Sequence, residues 1–156
     1  MSIDIIICAV VLLNKKNEAL LQLRDNKEGL SASGLLVFPG GHRDNEENLI
    51  ECAKREFLEE MNLNVEVGKH LYTTDYFQLS SFNSSHQIIS IYYFVNALEK
   101  ITAPLRTKPF DFDDEQLKIY EQQKEIVTFR FIDVDKLTTE DVSLPIDKLI
   151  VQLLLA

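Results

Sequence analysis

Cationic charge is scarce in this sequence: 16 Lys and Arg stand against 25 Asp and Glu, a net charge of -9. Such a chain repels polyanions at long range, which excludes general binding to a nucleic acid polymer. Any phosphate it handles must be met locally, by a few placed cations or by a metal. Cysteine is scarcer still. Cys8 and Cys52 are too few for a disulfide scaffold and match no zinc spacing; they read as packing thiols in a reducing, cytoplasmic compartment. Five Gly and four Pro are too few for a fibrous or linker-rich chain. Long apolar stretches are also missing. The longest, Ile5 to Leu13, has nine residues, short of what a bilayer demands. Asp4 precedes it, where a secretory leader would carry Lys or Arg, so no membrane association is expected.

What is present is ordinary globular material. Hydrophobic residues make up 46% and charged residues 26% of 156, enough to bury a core as a single domain over 1–156. Ile5–Leu13 reads as a buried strand, and the turn Asn14-Lys15-Lys16-Asn17 leads into Ala19–Arg24, so the two are expected to pair as a hairpin. Leu35–Phe38 is a short strand that Pro39-Gly40-Gly41 ends. Glu47–Met61 has helical periodicity. Asn64–Val67 and Leu71–Leu79 read as strand with a break at Gly68. Gln87–Leu98 and Glu125–Ile132 are further strands, and Asp113–Lys124 a short helix. Ser143 is placed to cap a final helix with Pro145 in its first turn and Leu149, Leu153 and Leu154 on its apolar side. Strands alternate with helices without repeats or linkers, which gives an α/β fold with a mixed sheet covered by helices.

Chemistry concentrates between Phe38 and Leu63. On a helix, Leu49, Ile50, Ala53, Phe57 and Met61 fall within an arc of about 120° and form the expected core face. Glu56 and Glu60 lie about 40° apart, with Glu59 about 60° round from Glu56. Like charges at this spacing destabilise a helix unless a cation compensates, and oxygen-only donors suit a hard divalent ion, Mg²⁺ or Mn²⁺. Pro39-Gly40-Gly41 removes Cβ atoms where the backbone must turn, which would let a main-chain carbonyl approach the same ion. Arg55 can clamp a carboxylate through its planar fork, and Glu47 can brace it. By itself the acidic stripe reads more readily as a solvated helix face. The glycines, Glu47 and Arg55 at their spacings turn the reading towards a metal site.

Gly41, five residues, Glu47, seven residues and then Arg55-Glu56-Phe57-Leu58-Glu59-Glu60-Met61-Asn62-Leu63 resembles the signature box of the MutT-like Nudix hydrolases. One specified position departs: Asn62 stands where the family has Gly, at a helix end that needs φ > 0, which Asn tolerates best after Gly. The resemblance implies a Nudix-type α/β/α sandwich with a mixed β-sheet and a catalytic helix at about 47–61. It also implies metal-dependent hydrolysis of a diphosphate bond, by water attack at phosphorus, in a nucleotide or a nucleoside diphosphate linked to another moiety. Carried onto this chain, Glu56 and Glu60 become metal ligands. Glu59 becomes a further ligand or acts through water, and the Gly41 carbonyl completes the shell. The general base falls first to Glu56 and second to Glu59, with Arg55 and Glu47 supporting them. Family members also take an acidic ligand from a later loop, for which Glu125 is preferred over Glu121 and Glu115, and a phosphate-contacting cation near Arg24. A homodimer is compatible with the resemblance.

Selectivity must come from loops around the site. Gln78–His86 is one candidate. The other is Arg106–Tyr120, where Phe110 or Phe112 could stack on a base. Neither the second arginine of coenzyme A-cleaving relatives nor the proline that follows the box in ADP-ribose-cleaving relatives is present, so a nucleotide or nucleoside diphosphate sugar is the default substrate. Other chemistries find no support. No Gly-x-Ser-x-Gly elbow accompanies Ser80–Ser85. Asp111–Glu115 lacks the Gly and Glu of a calcium loop. His42, His70 and His86 have no partner at metal spacing. The alternative of a non-catalytic nucleotide-binding regulator on the same fold is disfavoured by the intact set of carboxylates.

Overall fold

The computed structural model describes residues 3–26, 36–44, 46–76, 86–102, 105, 113–123, 125–142 and 144–156, excluding the side chains of residues 3, 24–26, 125 and 126. The chain divides into two compact units, Met1–Leu13 with Pro39–Ala103 and Asn14–Phe38 with Pro104–Ala156. Among the described residues no helix is long and apolar enough to cross a membrane.

The first unit carries a mixed four-stranded sheet. Strand β1 (Ile3–Leu12) runs parallel to β6 (His86–Ala97), and the short β4 (Gly40–His42) pairs antiparallel with the other edge of β1. Strand β5 (Val65–Thr73) closes the order β4-β1-β6-β5. Cys8, Ala9, Val10, Val11 and Leu12 form an unbroken buried run, so side chains on both faces of β1 are covered. The same fact overturns the expected hairpin. Both edges of β1 are taken by β4 and β6, and β2 (Glu18–Asn26) pairs elsewhere. The expected break at Gly68 is a pair of register shifts, between Val67 and His70 and between His70 and Tyr72, within one continuous β5. A bulge adds residues without ending a strand. The strand expected to reach Leu79 stops at Thr73; positions 77–79 lie outside the described residues.

Helix α1 (Leu49–Met61) begins two residues later than expected because Asn48 caps it. The Asn48 side chain accepts the Glu51 N–H at 2.8 Å, and the Glu51 carboxylate accepts the Asn48 N–H at 3.3 Å. This reciprocal pair satisfies two backbone donors at the helix start. The buried face is Cys52, Ala53, Phe57 and Met61. Leu49 is only half-buried and Ile50 is exposed, so the expected face was rotated. Cys52 takes the place of Ile50 on the buried face, where its Sγ reaches the Gly41 and His42 carbonyls of β4. The sulfurs of Cys8 and Cys52 are fully buried and unoxidised, and burial pushes both thiols above their ordinary pKa.

The second unit holds an antiparallel sheet ordered β3-β2-β7, with β3 at Leu36–Val37 and β7 at Glu125–Asp133. Register runs from Glu18 opposite Asp133 to Asn26 opposite Glu125, and Ala19, Leu20, Leu21, Leu23 and Phe129 are buried. Helix α2 (Asp114–Gln123) buries no residue. Helix α3 (Pro145–Leu155) has Pro in its first turn. Leu144 is its N-cap, without a side-chain cap hydrogen bond; Ser143, the expected cap, lies outside the described residues. Its buried face is Ile146, Asp147, Ile150 and Val151, while Leu149 and Leu154 are half-buried and Leu153 is exposed. The helix is apolar on more than one side. The side turned inward is the one that delivers the Asp147 carboxylate to the Phe38 N–H, at 3.2 Å.

Two non-glycine residues with left-handed backbone bracket α1: Glu46 at φ 66° and Asn62 at φ 51°. The Asn62 N–H donates to Leu58 O and the Leu63 N–H to Phe57 O, so left-handed geometry here closes the helix. Asn accepts it and Glu does so with strain. Glu46→Gly should raise stability by about 0.5–1 kcal/mol, relief of strain exceeding the entropy that glycine adds to the unfolded chain. Asn62→Gly should change it by less than about 1 kcal/mol, and Asn62→Val should cost more. Denaturant titrations of the three variants test this. A destabilised Glu46→Gly, or an Asn62→Val as stable as the parent, contradicts it.

Candidate active site

The site is built where β4 passes α1. In β4, Gly40 lies opposite Ala9, Gly41 opposite Cys8 and His42 opposite Ile7. The sequence suggested a sharp turn at these glycines, but both lie in strand β4 and neither adopts a left-handed φ. They serve close approach. A Cβ on Gly40 would overlap the Cys8 carbonyl and the Ala9 Cα, and a Cβ on Gly41 would fall on the Glu56 carboxylate. The room left by the missing side chain of Gly41 is therefore filled by the functional end of Glu56. Only 14% of the Glu56 side chain remains accessible. This burial raises its pKa, with Glu60 and Glu59 adding to the rise and Arg55 opposing it.

Arg55 is the hub. Its Nε donates to Glu47 Oε2 at 2.6 Å and its Nη2 to Glu47 Oε1 at 3.1 Å, a fork-on-fork pair. Its Nη1 donates to Glu56 Oε1 at 3.1 Å and to Glu59 Oε2 at 3.2 Å. Nη2 also reaches the His42 carbonyl at 3.0 Å, which ties α1 to β4, and Asp44 lies 3.3 Å from Nε. Because α1 starts at Leu49, Glu47 is free of the helix and folds back onto the guanidinium. Its carboxylate also accepts the Asp44 N–H at 3.0 Å. The Arg55 contact holds Glu47 well below its ordinary value of 4.5, at about 2, and the carboxylates keep Arg55 firmly charged. Cys52 closes the floor, with Sγ 3.9 Å from the Gly41 carbonyl and 3.8 Å from that of His42.

Gly41, Glu47, Arg55, Glu56 and Glu59 are thus gathered as the spacing suggested. Glu60 is exposed but close enough to act on the charge of Glu56. Asp44, Cys52 and the His42 carbonyl were not anticipated; the only signal was an acid-rich stretch ahead of the helix. Arg24 and Glu125 belong to β2 and β7 of the other unit, and their side chains lie outside the described set. Phe110, Phe112 and residues 78–85 lie outside the described residues.

Among the described residues no three His, Cys, Asp or Glu side chains converge into a metal-holding group; Glu56 and Glu59 each turn to Arg55. The donor set still fits a hard divalent ion. Glu56, Glu59, Glu60 and the Gly41 carbonyl offer only oxygen, and a cation would offset both the burial of the Glu56 charge, the main cause of its raised pKa, and the smaller repulsion from Glu60 and Glu59.

Comparison with known proteins agrees with this geometry. The NUDIX domain model matches residues 5–153. No curated protein sequence matches the chain. Several solved structures share its fold at low identity. The E. coli ORF135 protein superposes with a TM-score of 0.67 at 15% identity, over 97% of this chain and 88% of that one. A MutT NUDIX hydrolase from Burkholderia pseudomallei gives 0.65 at 14%, over 96% of each chain. A MutT protein from Methanosarcina mazei gives 0.64 at 17%, over 98% and 94%. The mixed α/β architecture is common to them. With the family model spanning nearly the whole sequence and enclosing the Gly41–Leu63 box, the chain belongs to the NUDIX family of pyrophosphohydrolases.

Proposed function

We propose that this protein hydrolyses the diphosphate bond of a nucleotide, or of a nucleoside diphosphate linked to another group, with Mg²⁺ or Mn²⁺ held by Glu56, Glu60, Glu59 and the Gly41 carbonyl. The observation that carries the reading is the fit of the Glu56 carboxylate into the space left open by Gly41. When bound, such an ion neutralises phosphate charge and acidifies water. The protein's own part is positioning and proton transfer, which dominate phosphoryl chemistry. Glu56 is the first candidate to take the proton of the attacking water at its carboxylate. Its upward pKa shift from burial moves it towards the range where a general base works best. Glu59 is the second. Arg55 holds both carboxylates by one guanidinium nitrogen, and Glu47 fixes that guanidinium from the other side. An acidic protein can carry out this chemistry because attraction of the substrate is local.

Outside the box, Glu125 is proposed as a supplementary ligand, Arg24 as a phosphate contact, and Phe110 or Phe112 as a base-stacking side chain. The substrate class is a small molecule of nucleotide type.

Glu56→Gln and Glu60→Gln should each lower kcat by at least about 10²-fold while leaving the thermal melt close to that of the parent. Steady-state kinetics at saturating Mg²⁺ check this, and near-parental turnover in both variants would remove the assignment. Glu47 yields a pH prediction. Its folded-state pKa, about 2, is depressed from 4.5 by Arg55. Its contribution to stability is therefore complete above pH of about 4.5 and is lost as pH falls through about 2. The melting temperature of Glu47→Gln should lie below that of the parent at pH 6, and the gap should narrow as the pH drops from about 4.5 towards 2. A gap of constant size over that interval would show that the Arg55 contact is not its source.

A further inference from the structure

A diphosphate compound brings several negative charges to a site built of carboxylates, and the first unit has few cations to meet them. Arg55 is already committed: Glu47, Glu56, Glu59 and Asp44 all lie within 3.3 Å of its nitrogens. Arg43 is placed differently. Its N–H donates to the Ile6 carbonyl at 3.0 Å, which carries the pairing of β4 with β1 past the Gly41–Cys8 pair. Side chains two residues apart on a strand point to the same face. The Cβ that Gly41 lacks would fall on the Glu56 carboxylate, so residues 41 and 43 share the face on which that carboxylate lies. Arg43 leaves this face about 7 Å along the strand from Gly41, and it is exposed.

Among the described residues the Arg43 side chain forms no ion pair, although Asp44, Glu46 and Glu47 follow it closely in sequence. Its one hydrogen bond runs from Nη1 to the Glu47 carbonyl at 3.0 Å. A guanidinium carries five N–H donors in one plane, so most of them remain available. The acceptor is an uncharged backbone oxygen, and it belongs to the residue whose carboxylate grips Arg55. The tether therefore fixes the guanidinium beside the site without neutralising it. Fixing a long side chain in advance lowers the entropy lost when a ligand binds. Phosphate is the ligand chemistry that suits such a group, because the planar fork matches two phosphate oxygens at once. Arg43, Gly41, Glu47, Arg55 and Glu56 all belong to the same compact unit.

We infer that Arg43 is a substrate-binding residue of the hydrolase site: its guanidinium, tethered to the Glu47 carbonyl, takes a phosphate group of the substrate. The inference rests on the function proposed above, and its test includes a reading that does not depend on turnover. Three variants are compared with the parent: Arg43→Ala, which removes the contact; Arg43→Lys, which keeps the charge and loses the fork; and Lys54→Ala. Lys54 is exposed and lies about 160° round α1 from Glu56, so Lys54→Ala removes one charge from the same unit on the side of the helix away from Glu56.

On a nucleotide that the parent cleaves, Arg43→Ala should raise KM about 10-fold while kcat changes by less than about 3-fold, the pattern of a lost uniform contact. Arg43→Lys should raise KM about 3-fold, and Lys54→Ala should move neither constant by more than about 2-fold. Binding of methylenediphosphonate, whose P–C–P bridge water does not cleave, is measured by calorimetry with Mg²⁺ present and should weaken about 10-fold in Arg43→Ala. Mn²⁺ affinity in the absence of phosphate should stay within about 2-fold of the parent in every variant. Parental KM and diphosphonate affinity in Arg43→Ala overturn the proposal and leave the hydrolase reading intact. Equal losses in Lys54→Ala also overturn it, since they would mark a long-range charge effect. A fall in Mn²⁺ affinity as large as the rise in KM overturns it too, since Arg43 would then be a brace of the loop before α1. A parent that cleaves no nucleotide refutes the function alone, and the diphosphonate then decides: binding that weakens about 10-fold in Arg43→Ala supports the contact, and equal binding, or none by the parent, overturns it.

Discussion

One cation organises this site. The Arg55 guanidinium holds Glu47 on two nitrogens, Glu56 and Glu59 on a third contact point, and the His42 carbonyl of the neighbouring strand. Lysine, with one charged nitrogen, could not make these contacts together in a fixed plane. The arrangement explains why Glu47 precedes the helix. Asn48 takes the capping role, so Glu47 is free to fold back on Arg55 and is held charged there. It also explains how three carboxylates coexist on one helical stripe. The guanidinium contacts two of them; the upward pKa shift of Glu56 comes first from its burial, with Glu60 and Glu59 adding a smaller share.

The second constraint is steric. Gly40 and Gly41 have ordinary backbone angles, yet both positions exclude a side chain. At Gly40 the obstacle is the backbone of β1, and at Gly41 it is the carboxylate of Glu56. A strand that lies this flush against its neighbour brings a main-chain carbonyl and a carboxylate into one small volume. Close backbone approach is the use of glycine that matters here.

The box was legible in the sequence because its information is spacing, and helical geometry converts spacing into direction. The shared stripe of Glu56, Glu59 and Glu60 followed from that conversion, and the left-handed end at Asn62 from the resemblance, which has Gly there. Features that depend on partners far along the chain were less legible. The core face of α1 differs from the expected one because Ile50 outranks Cys52 in hydrophobicity, whereas the helix turns Cys52 inward, with its Sγ towards the carbonyls of β4. The β1–β2 hairpin failed because a tight turn fixes where the chain reverses and says nothing of whether the strands' edges are already occupied. In α3, apolar residues occur on more than one side, and the choice between them lies with Asp147 and Phe38, 109 residues apart. Hydrophobic periodicity carries no signal for such a pairing.

Under the proposed function, this constellation hydrolyses a diphosphate bond with the help of a divalent ion. The most direct measurement is product analysis of the parent protein on a panel of nucleoside triphosphates and nucleoside diphosphate sugars. Mg²⁺ is titrated upward from a chelator-treated start, and the solvent is ¹⁸O-labelled water. Cleavage of at least one compound at its diphosphate bond, with turnover that rises with Mg²⁺ and label in one phosphate product, is the predicted result. Failure to cleave any member of the panel with Mg²⁺ or Mn²⁺, or cleavage indifferent to both ions, would contradict it.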